Sequence, residues 1–336
     1  MDTLPPGKLD TALLSRLLAG LDLPPELLVG PGIGHDVAVI DLGSDDLLLA
    51  KTDPITFATD AIGYYCVAVN SNDIATSGGA PRWLLVTALL PERETTEALV
   101  ADLFSQLQET CGRLGVALVG GHTEITGGLD RPILVGQMLG TVPRDKLIRP
   151  DGARPGDAIL LTKGIPLEGV SLIAREQRPE LLARDYQPAF LDRCAGLLFD
   201  PGIMILPEAR ALCAAVTPHA LHDPTEGGLA TGLWEMAEAS GVGLRIEAER
   251  IPVLPEGRRL CEEYGLDPLG LIASGSLVAA VAAEDVGAAV AACEAIGVPC
   301  AQIGSATNAG EGVILLEAGA SRGLPRYDQD EITRVL

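Results

Sequence analysis

The stretch GHDVAVIDLGSDDLLLAKTD, residues 34–53, sets two apolar runs on either side of a short polar turn. VAVIDLG (37–43) and DLLLAKTD (46–53) read as paired strands, and pairing across so short a connection makes a hairpin. Asp60 to Ser77 then reads as a helix stopped at Gly78-Gly79. RWLLVTALL (82–90) reads as a buried strand, and Thr95 to Leu114 as a long helix ended by Gly115. VALVGG (116–121) and PILVGQMLGTV (132–142) read as strands, and LDTALLSRLLA (9–19) as a short amphipathic helix capped by Asp10 or Thr11. This β-β-α-β-α-β-β order mixes hairpins with crossovers. It predicts an α+β fold rather than a doubly wound sheet.

PRDKLIRPDGARPGD (143–157) is dense in proline, glycine and charge and carries no periodicity. It marks a boundary between a first domain, 1–150, and a second, 151–336. The second half begins with a strand, AILLTKG (158–164), followed by helices to about residue 216. HDPTEGGLATGLWEMAEASG starts another helix. Asp223 precedes Pro224, with Glu226 three residues on, in the pattern of a capping box. A strand SLVAAVA, a helix EDVGAAVAACEAIG and strands near 300–304 and 313–317 complete it.

Composition limits what the chain can do. Hydrophobic residues make up 47% and aromatics only 3%, so the cores must be aliphatic. The formal charge of −22 excludes a bare nucleic-acid partner, which requires a basic face. A nucleotide remains compatible if a divalent cation offsets the charge. The seven cysteines form no CxxC pair and are expected as buried, reduced thiols. The four histidines lack zinc-site spacing. The start of the chain does not read as a signal peptide, and no apolar run reaches the ~18 residues of a membrane span. A cytoplasmic protein is expected.

Four acid-bearing stretches of the first half share one design. GHDVAV sets Asp36 at the start of a strand, and AKTDPITF sets Thr52 and Asp53 at the end of one. VNSNDIATSGG puts Asn70 and Asp73 on one helix face. LVGGHTEITGG ends a strand in Gly120-Gly121, followed by His122, Thr123 and Glu124. Each acid alone reads as a cap or turn former. Together they form a set of hard oxygen ligands suited to Mg²⁺ and substrate phosphates. The glycines, Gly34 among them, would let phosphate approach backbone N–H groups. Gly227-Gly228 in the second half is a further pair that weakens a helix start unless something must come close.

GHDVAV, KTDP, NSNDIATSGGAPRWL, GGHTEIT and LHDPTEGGLATGLWEMAEASGVG follow one another in the order seen in the AIR synthase (PurM-like) superfamily. The chain resembles that family from about residue 7 to residue 318, with its greatest likeness to the hydrogenase-maturation HypE-like proteins. The resemblance implies a homodimer of two-domain α+β subunits. The N-terminal domains would form a β-barrel interface, and the C-terminal domains α/β sandwiches. It also implies ATP and Mg²⁺ as cofactors. Asp36, Asp53, Asp73 and Asp223 would be metal-linked carboxylates, with Asp73 and Asp223 also catalytic. Gly34, Thr52, Asn70, Gly120, Gly121, His122 and Thr123 would lie on the nucleotide. Lys8, in PPGKLD, or Lys163, in LLTKGIP, would reach the phosphates.

Departures accompany the likeness. His35-Asp36 stands where many relatives have two acids. IASGSLVA, with Ser274 and Ser276, replaces an acidic stretch. The Pro-Arg-Ile-Cys tail whose thiol carries a carbamoyl group in HypE is replaced by RYDQDEITRVL, expected as a docking segment or as disorder. The leading expectation is an ATP- and Mg²⁺-dependent enzyme that phosphorylates or activates a small cytosolic metabolite. The alternative is a non-catalytic nucleotide-binding protein that docks to a maturation factor.

Overall fold

A computed structural model describes residues 7–336, which divide into two units. A six-stranded unit contains Pro24–Gly30 and Asp36–Leu147. A seven-stranded unit contains the described residues up to Leu23, Pro31–His35 and Ile148–Leu336. The chain thus passes between units at Leu147–Ile148, against an expected boundary at 150/151. The described residues up to Leu23 group with the second half rather than the first. Lys8 shows why: its ammonium is held by Thr225 Oγ1 at 3.2 Å and by Glu226 and Glu235 at 3.6 Å each. Helix α1 (Thr11–Leu18) belongs to the same unit, and the Asp10 carboxylate caps it by accepting from Leu13 N at 2.9 Å.

The six-stranded unit runs β1 (Leu27–Val29), β2 (Ala38–Ile40), β3 (Asp46–Ile55), α2 (Ile62–Thr76), β4 (Ala80–Pro91), α3 (Glu97–Leu114), β5 (Ala117–Thr126) and β6 (Ile133–Pro143). Its sheet order is β1-β2-β3-β6-β4-β5, antiparallel except for β4 and β5, which α3 connects as a parallel pair. The hairpin of residues 34–53 is present, with Ala38 opposite Ala50 and Ile40 opposite Leu48. Strand β3 runs two residues past its expected end, so Asp53 lies inside it, opposite Gly136. Pro54 is tolerated there because β2 stops opposite Ala50, so Pro54 pairs with β6 alone. Strand β1 has three residues and gave no usable pattern in the sequence.

Helix α2 is buried along its whole length, polar residues included. It packs on β3, β4 and β6 on one side and on α3 on the other. The close approach depends on two glycines of β6. A Cβ on Gly136 would lie 2.4 Å from Asn70 Nδ2, and one on Gly140 would lie 2.5 Å from Ile74 Cγ2.

The seven-stranded unit continues with β7 (Ala158–Thr162), α4 (Leu167–Glu176), α5 (Arg178–Ala183), α6 (Pro188–Gly196), α7 (Leu206–Ala215), β8 (Ala220–His222), α8 (Gly228–Ser240) and β9 (Val242–Glu247). Then come α9 (Pro255–Tyr264), β10 (Val278–Val281), α10 (Val286–Ala295), β11 (Cys300–Asn308), β12 (Val313–Glu317) and β13 (Ala320–Gly323). The order is β13-β12-β9-β11-β7-β10-β8, with only β12 and β9 parallel. Leu229, Leu233 and Met236 of α8 join Leu244, Ile246, Val278 and Ile303 in one aliphatic core. Both sheets are mixed and mostly antiparallel, so the chain is a two-domain α+β protein. No helix among the described residues is long and apolar enough to cross a membrane.

The capping-box reading of Asp223 is overturned. Helix α8 starts at Gly228, with Gly227 (φ 79°) as its N-cap, so Asp223 to Glu226 precede it as irregular chain. The cap comes from 103 residues away. Asp330 Oδ2 accepts from Gly227 N at 2.7 Å, while Oδ1 accepts from Ile272 N at 3.2 Å and Ile332 N at 2.7 Å. The segment carrying Asp330 is folded against its own unit. Tyr327 donates to Asp267 at 2.6 Å, Trp234 Nε1 donates to Leu324 O at 3.3 Å, and Ile332 is buried.

Asp330→Ala strands three buried N–H groups. The unfolding free energy is expected to fall by about 2–4 kcal/mol, read from urea denaturation. An unchanged midpoint would show that α8 starts without this carboxylate.

Candidate functional site

In the six-stranded unit, Asp36 lies just ahead of β2, Asp53 within β3, and Asp73 near the end of α2. Asp36 and Asp73 each bring a carboxylate oxygen to within 4.8 Å of the other. The Lys51 ammonium stands 3.3 Å from Asp53 Oδ2 and 3.2 Å from Asp73 Oδ1. Strand alternation puts Lys51 and Asp53 on one face of β3 and Thr52 on the opposite one. Asn70 serves the scaffold of this site. Its Oδ1 accepts from Asp53 N at 3.0 Å, and its Nδ2 donates to Cys66 O at 2.9 Å. It thereby joins α2 to β3 and fixes Asp53 relative to Asp73. Lys51 was missed in the sequence. Its signal was its place in AKTDP, two residues before an acid on the same strand face. Two carboxylates this close fit a hard divalent cation that keeps several waters.

Gly120 to Thr123 lie in β5, the last strand of the sheet, where residues 119–125 are exposed. The two glycines differ. A Cβ on Gly121 would fall 1.9 Å from Val86 O, so pairing with β4 demands glycine there. A Cβ on Gly120 would have only Leu85 Cδ2 near it, at 4.0 Å. His122 Nε2 pairs with Glu124 Oε2 at 3.0 Å on the exposed surface.

The seven-stranded unit holds the other candidates. Asp223 follows β8 and is 2% exposed. Glu235 of α8 pairs with Lys8 at 3.6 Å and with His222 Nε2 at 3.0 Å. Burial opposes its charge, yet the Lys8 ammonium and the His222 imidazole hold the Glu235 carboxyl down at about 2. Gly34 (φ 70°) is explained by this helix too, because a Cβ there would lie 2.7 Å from Glu235 O.

The expectation that Lys163 reaches phosphate is corrected. Its side chain is 2% exposed, and Nζ is held by Gly202 O at 3.1 Å, Met204 O at 2.6 Å and Glu208 at 2.7 Å. Those three acceptors match its three N–H donors. Burial lowers its pKa while Glu208 sustains its charge. Sequence reading also missed Glu168, at the start of α4. Burial pushes its carboxyl up to about 8, against a hydrogen bond with Ser274, and the charges of Glu226 and Asp330 add to the rise.

The two units carry the marks of one family. Residues 34–142 match the model of the AIR synthase related protein, N-terminal domain, and residues 154–317 match its C-terminal domain. The chain belongs to the AIR synthase related family. Within it the chain is HypE-like. It is 34% identical to the carbamoyl dehydratase HypE of Cupriavidus necator over 77% of this chain and 72% of that protein. The Escherichia coli HypE structure superimposes with a TM-score of 0.74 at 26% identity, covering 96% of this chain and 99% of the other. A HypE structure in complex with ATP gives a TM-score of 0.67 at 26% identity, covering 95% and 96%.

Glu168 sets a pH dependence. Its folded-state pKa of about 8 lies above the ordinary 4.5, so the folded chain binds the extra proton between those values. Stability from this group is present below pH 4.5 and is lost as pH rises toward 8. Glu168→Gln removes the titration. Relative to wild type, the variant is expected to gain about 4 kcal/mol between pH 4.5 and 8. Urea denaturation at both pH values measures it. Parallel profiles would mean that Glu168 titrates as in the unfolded chain.

Proposed function

We propose that this chain binds ATP with Mg²⁺ and phosphorylates or otherwise activates an oxygen of a small metabolite. The observation that carries the reading is the carboxylate pair Asp36–Asp73 beside the Lys51 bridge to Asp53. Its likeness to a HypE crystallised with ATP supports it. In this reading Asp36 and Asp73 hold the metal, Asp53 and Asp223 are further acidic ligands, and Gly120, Gly121, His122 and Thr123 meet the nucleotide. Bound Mg²⁺ supplies charge neutralisation at the phosphates. Lys51 keeps the acids in place, and Asn70 positions Asp53. Thr52 is a contact to phosphate or sugar. Lys8 must leave Glu226 and Glu235 before it can meet a phosphate.

A second reading, a nucleotide-binding partner of a maturation factor, has one observation in its favour. Segment 324–336 spends Tyr327 on Asp267 and Asp330 on backbone amides, so these residues serve packing of their own unit. ATP turnover separates the two readings, because a binding partner releases little ADP with any metabolite mixture.

A homodimer through the six-stranded unit is part of the same proposal. Strand β5 is an edge strand with Val119 and Ile125 exposed, beside a groove of about 430 Å³ lined by Val100, Phe104 and Ile125. An uncovered apolar edge favours a partner strand. Sedimentation is expected to give a dimer, and Ile125→Lys a monomer. A monomeric wild type at micromolar concentration would remove this part of the reading.

Calorimetry tests the nucleotide. Removing Mg²⁺, or Asp73→Asn with Mg²⁺ present, is expected to weaken ATP binding at least about tenfold, since a triphosphate beside bare carboxylates is repelled. Equal affinity with and without the metal would overturn the assignment.

A further inference from the structure

The ammonium of Lys8 sits in a place built by residues far from it in the chain. Thr225 Oγ1 accepts from it at 3.2 Å, and Glu226 Oε2 and Glu235 Oε1 stand 3.6 Å away. Other contacts hold these acceptors in place. The Thr225 carbonyl accepts from Gly228 N at 3.0 Å and from Ala273 N at 3.3 Å, which fixes the chain ahead of α8. Glu235 Oε2 is engaged by His222 Nε2 at 3.0 Å, so Oε1 is the oxygen turned to the ammonium. Gly232 lets α8 close on the same loop, since a Cβ there would lie 2.7 Å from Pro224 Cβ.

The arm that delivers Lys8 is of another kind. Residues 7–10 are exposed, and α1 buries none of its residues. The Lys8 side chain is 47% exposed, against 14% for Glu235. A half-exposed ammonium thus neutralises a carboxylate that is nearly enclosed. Its fit to the two acids is loose, because 3.6 Å is well beyond the ~2.8 Å of a charge-assisted hydrogen bond. We infer that Thr225, Glu226 and Glu235 form a binding site for the primary ammonium group of a small molecule, a site that Lys8 fills from within the chain. Three acceptors around one point match the three donors of an ammonium. Among the described residues, His222, Glu226 and Glu235 do not gather closely enough to hold a metal ion.

An enclosed carboxylate needs a cation, and a free alkylammonium can supply it at closer range than a lysine whose backbone limits its approach. The half-exposed Lys8 stem shows that the site opens to solvent, so the rest of the ligand leaves by that side. Lys8 competes as a tethered ligand. The apparent affinity for a free amine is therefore reduced by the fraction of molecules in which the site is open. An amine that displaces Lys8 also releases the lysine from Glu226 and Glu235. The site belongs to the seven-stranded unit and requires neither nucleotide nor Mg²⁺, so it goes beyond the ATP reading.

The probe is n-butylammonium, which reproduces the lysine side chain. Urea unfolding of the full chain is followed at constant ionic strength, without nucleotide or Mg²⁺, as the probe is added. It is expected to raise the midpoint of Lys8→Ala saturably, because it binds the folded state. Wild type is expected to need about tenfold more of it for the same rise. Tetramethylammonium, which carries the charge but no N–H, is expected to give no saturable rise. Glu235→Gln added to Lys8→Ala is expected to abolish the response to n-butylammonium. Should that double variant not fold, Thr225→Val added to Lys8→Ala takes its place, with the same loss expected. No response of Lys8→Ala, equal responses of wild type and Lys8→Ala, a response retained in the double variant, or an equal effect of tetramethylammonium would overturn the inference. Failure of the ATP reading would leave all of these outcomes unchanged.

Discussion

One ammonium group, that of Lys51, stands between the carboxylates of Asp53 and Asp73. In a chain with a net charge of −22, an acidic cluster without such a counter-charge would repel itself. Much of the six-stranded unit is arranged around that contact. Asn70 locks α2 to β3, and Asp73 and Asp53 both meet Lys51. Gly136 and Gly140 bring α2 down onto the sheet, and the helix is buried on every face because α3 covers its other side. A cation bound by Asp36 and Asp73 would compete with Lys51 for Asp73.

The seven-stranded unit solves its charge problem by a different route. Lys8 and His222 draw Glu235 well below the ordinary carboxylate range, while Glu168 and Asp330, which have no cation beside them among the described residues, are pushed up to about 8 and about 6. The difference lies in the neighbours, since burial raises all three. Asp330 keeps its place because three backbone N–H groups surround it, and one of them belongs to the first residue before α8. The C-terminal segment is therefore part of the scaffold that starts this helix.

Two of the glycine-rich motifs mark packing as much as ligand approach. Gly121 is demanded by the carbonyl of Val86 across the strand pair, and Gly34 by the carbonyl of Glu235. Gly120, by contrast, has room for a Cβ, with only Leu85 Cδ2 near it at 4.0 Å, so packing does not demand glycine there.

The hairpin of residues 34–53 and the helices ended by Gly78-Gly79 and Gly115 were legible because each depends on neighbours within a few residues. Periodicity, capping and turn chemistry are local, and the chain states them directly. Residue order also carried the family resemblance. The cap of α8 was misread because Asp223, Pro224 and Glu226 imitate a local box, whereas the acid that does the work lies 103 residues from Gly227. Lys163 was named as a candidate and Lys51 was passed over, because nothing local to either lysine shows what it will face. Tertiary packing buried one among two carbonyls and Glu208, and set the other between two acids. The sequence determined which groups are present and what local structure they favour. Which carboxylate gains a cation and which is held protonated was decided only when segments distant in the chain were packed against one another, because charge responds to neighbours in space.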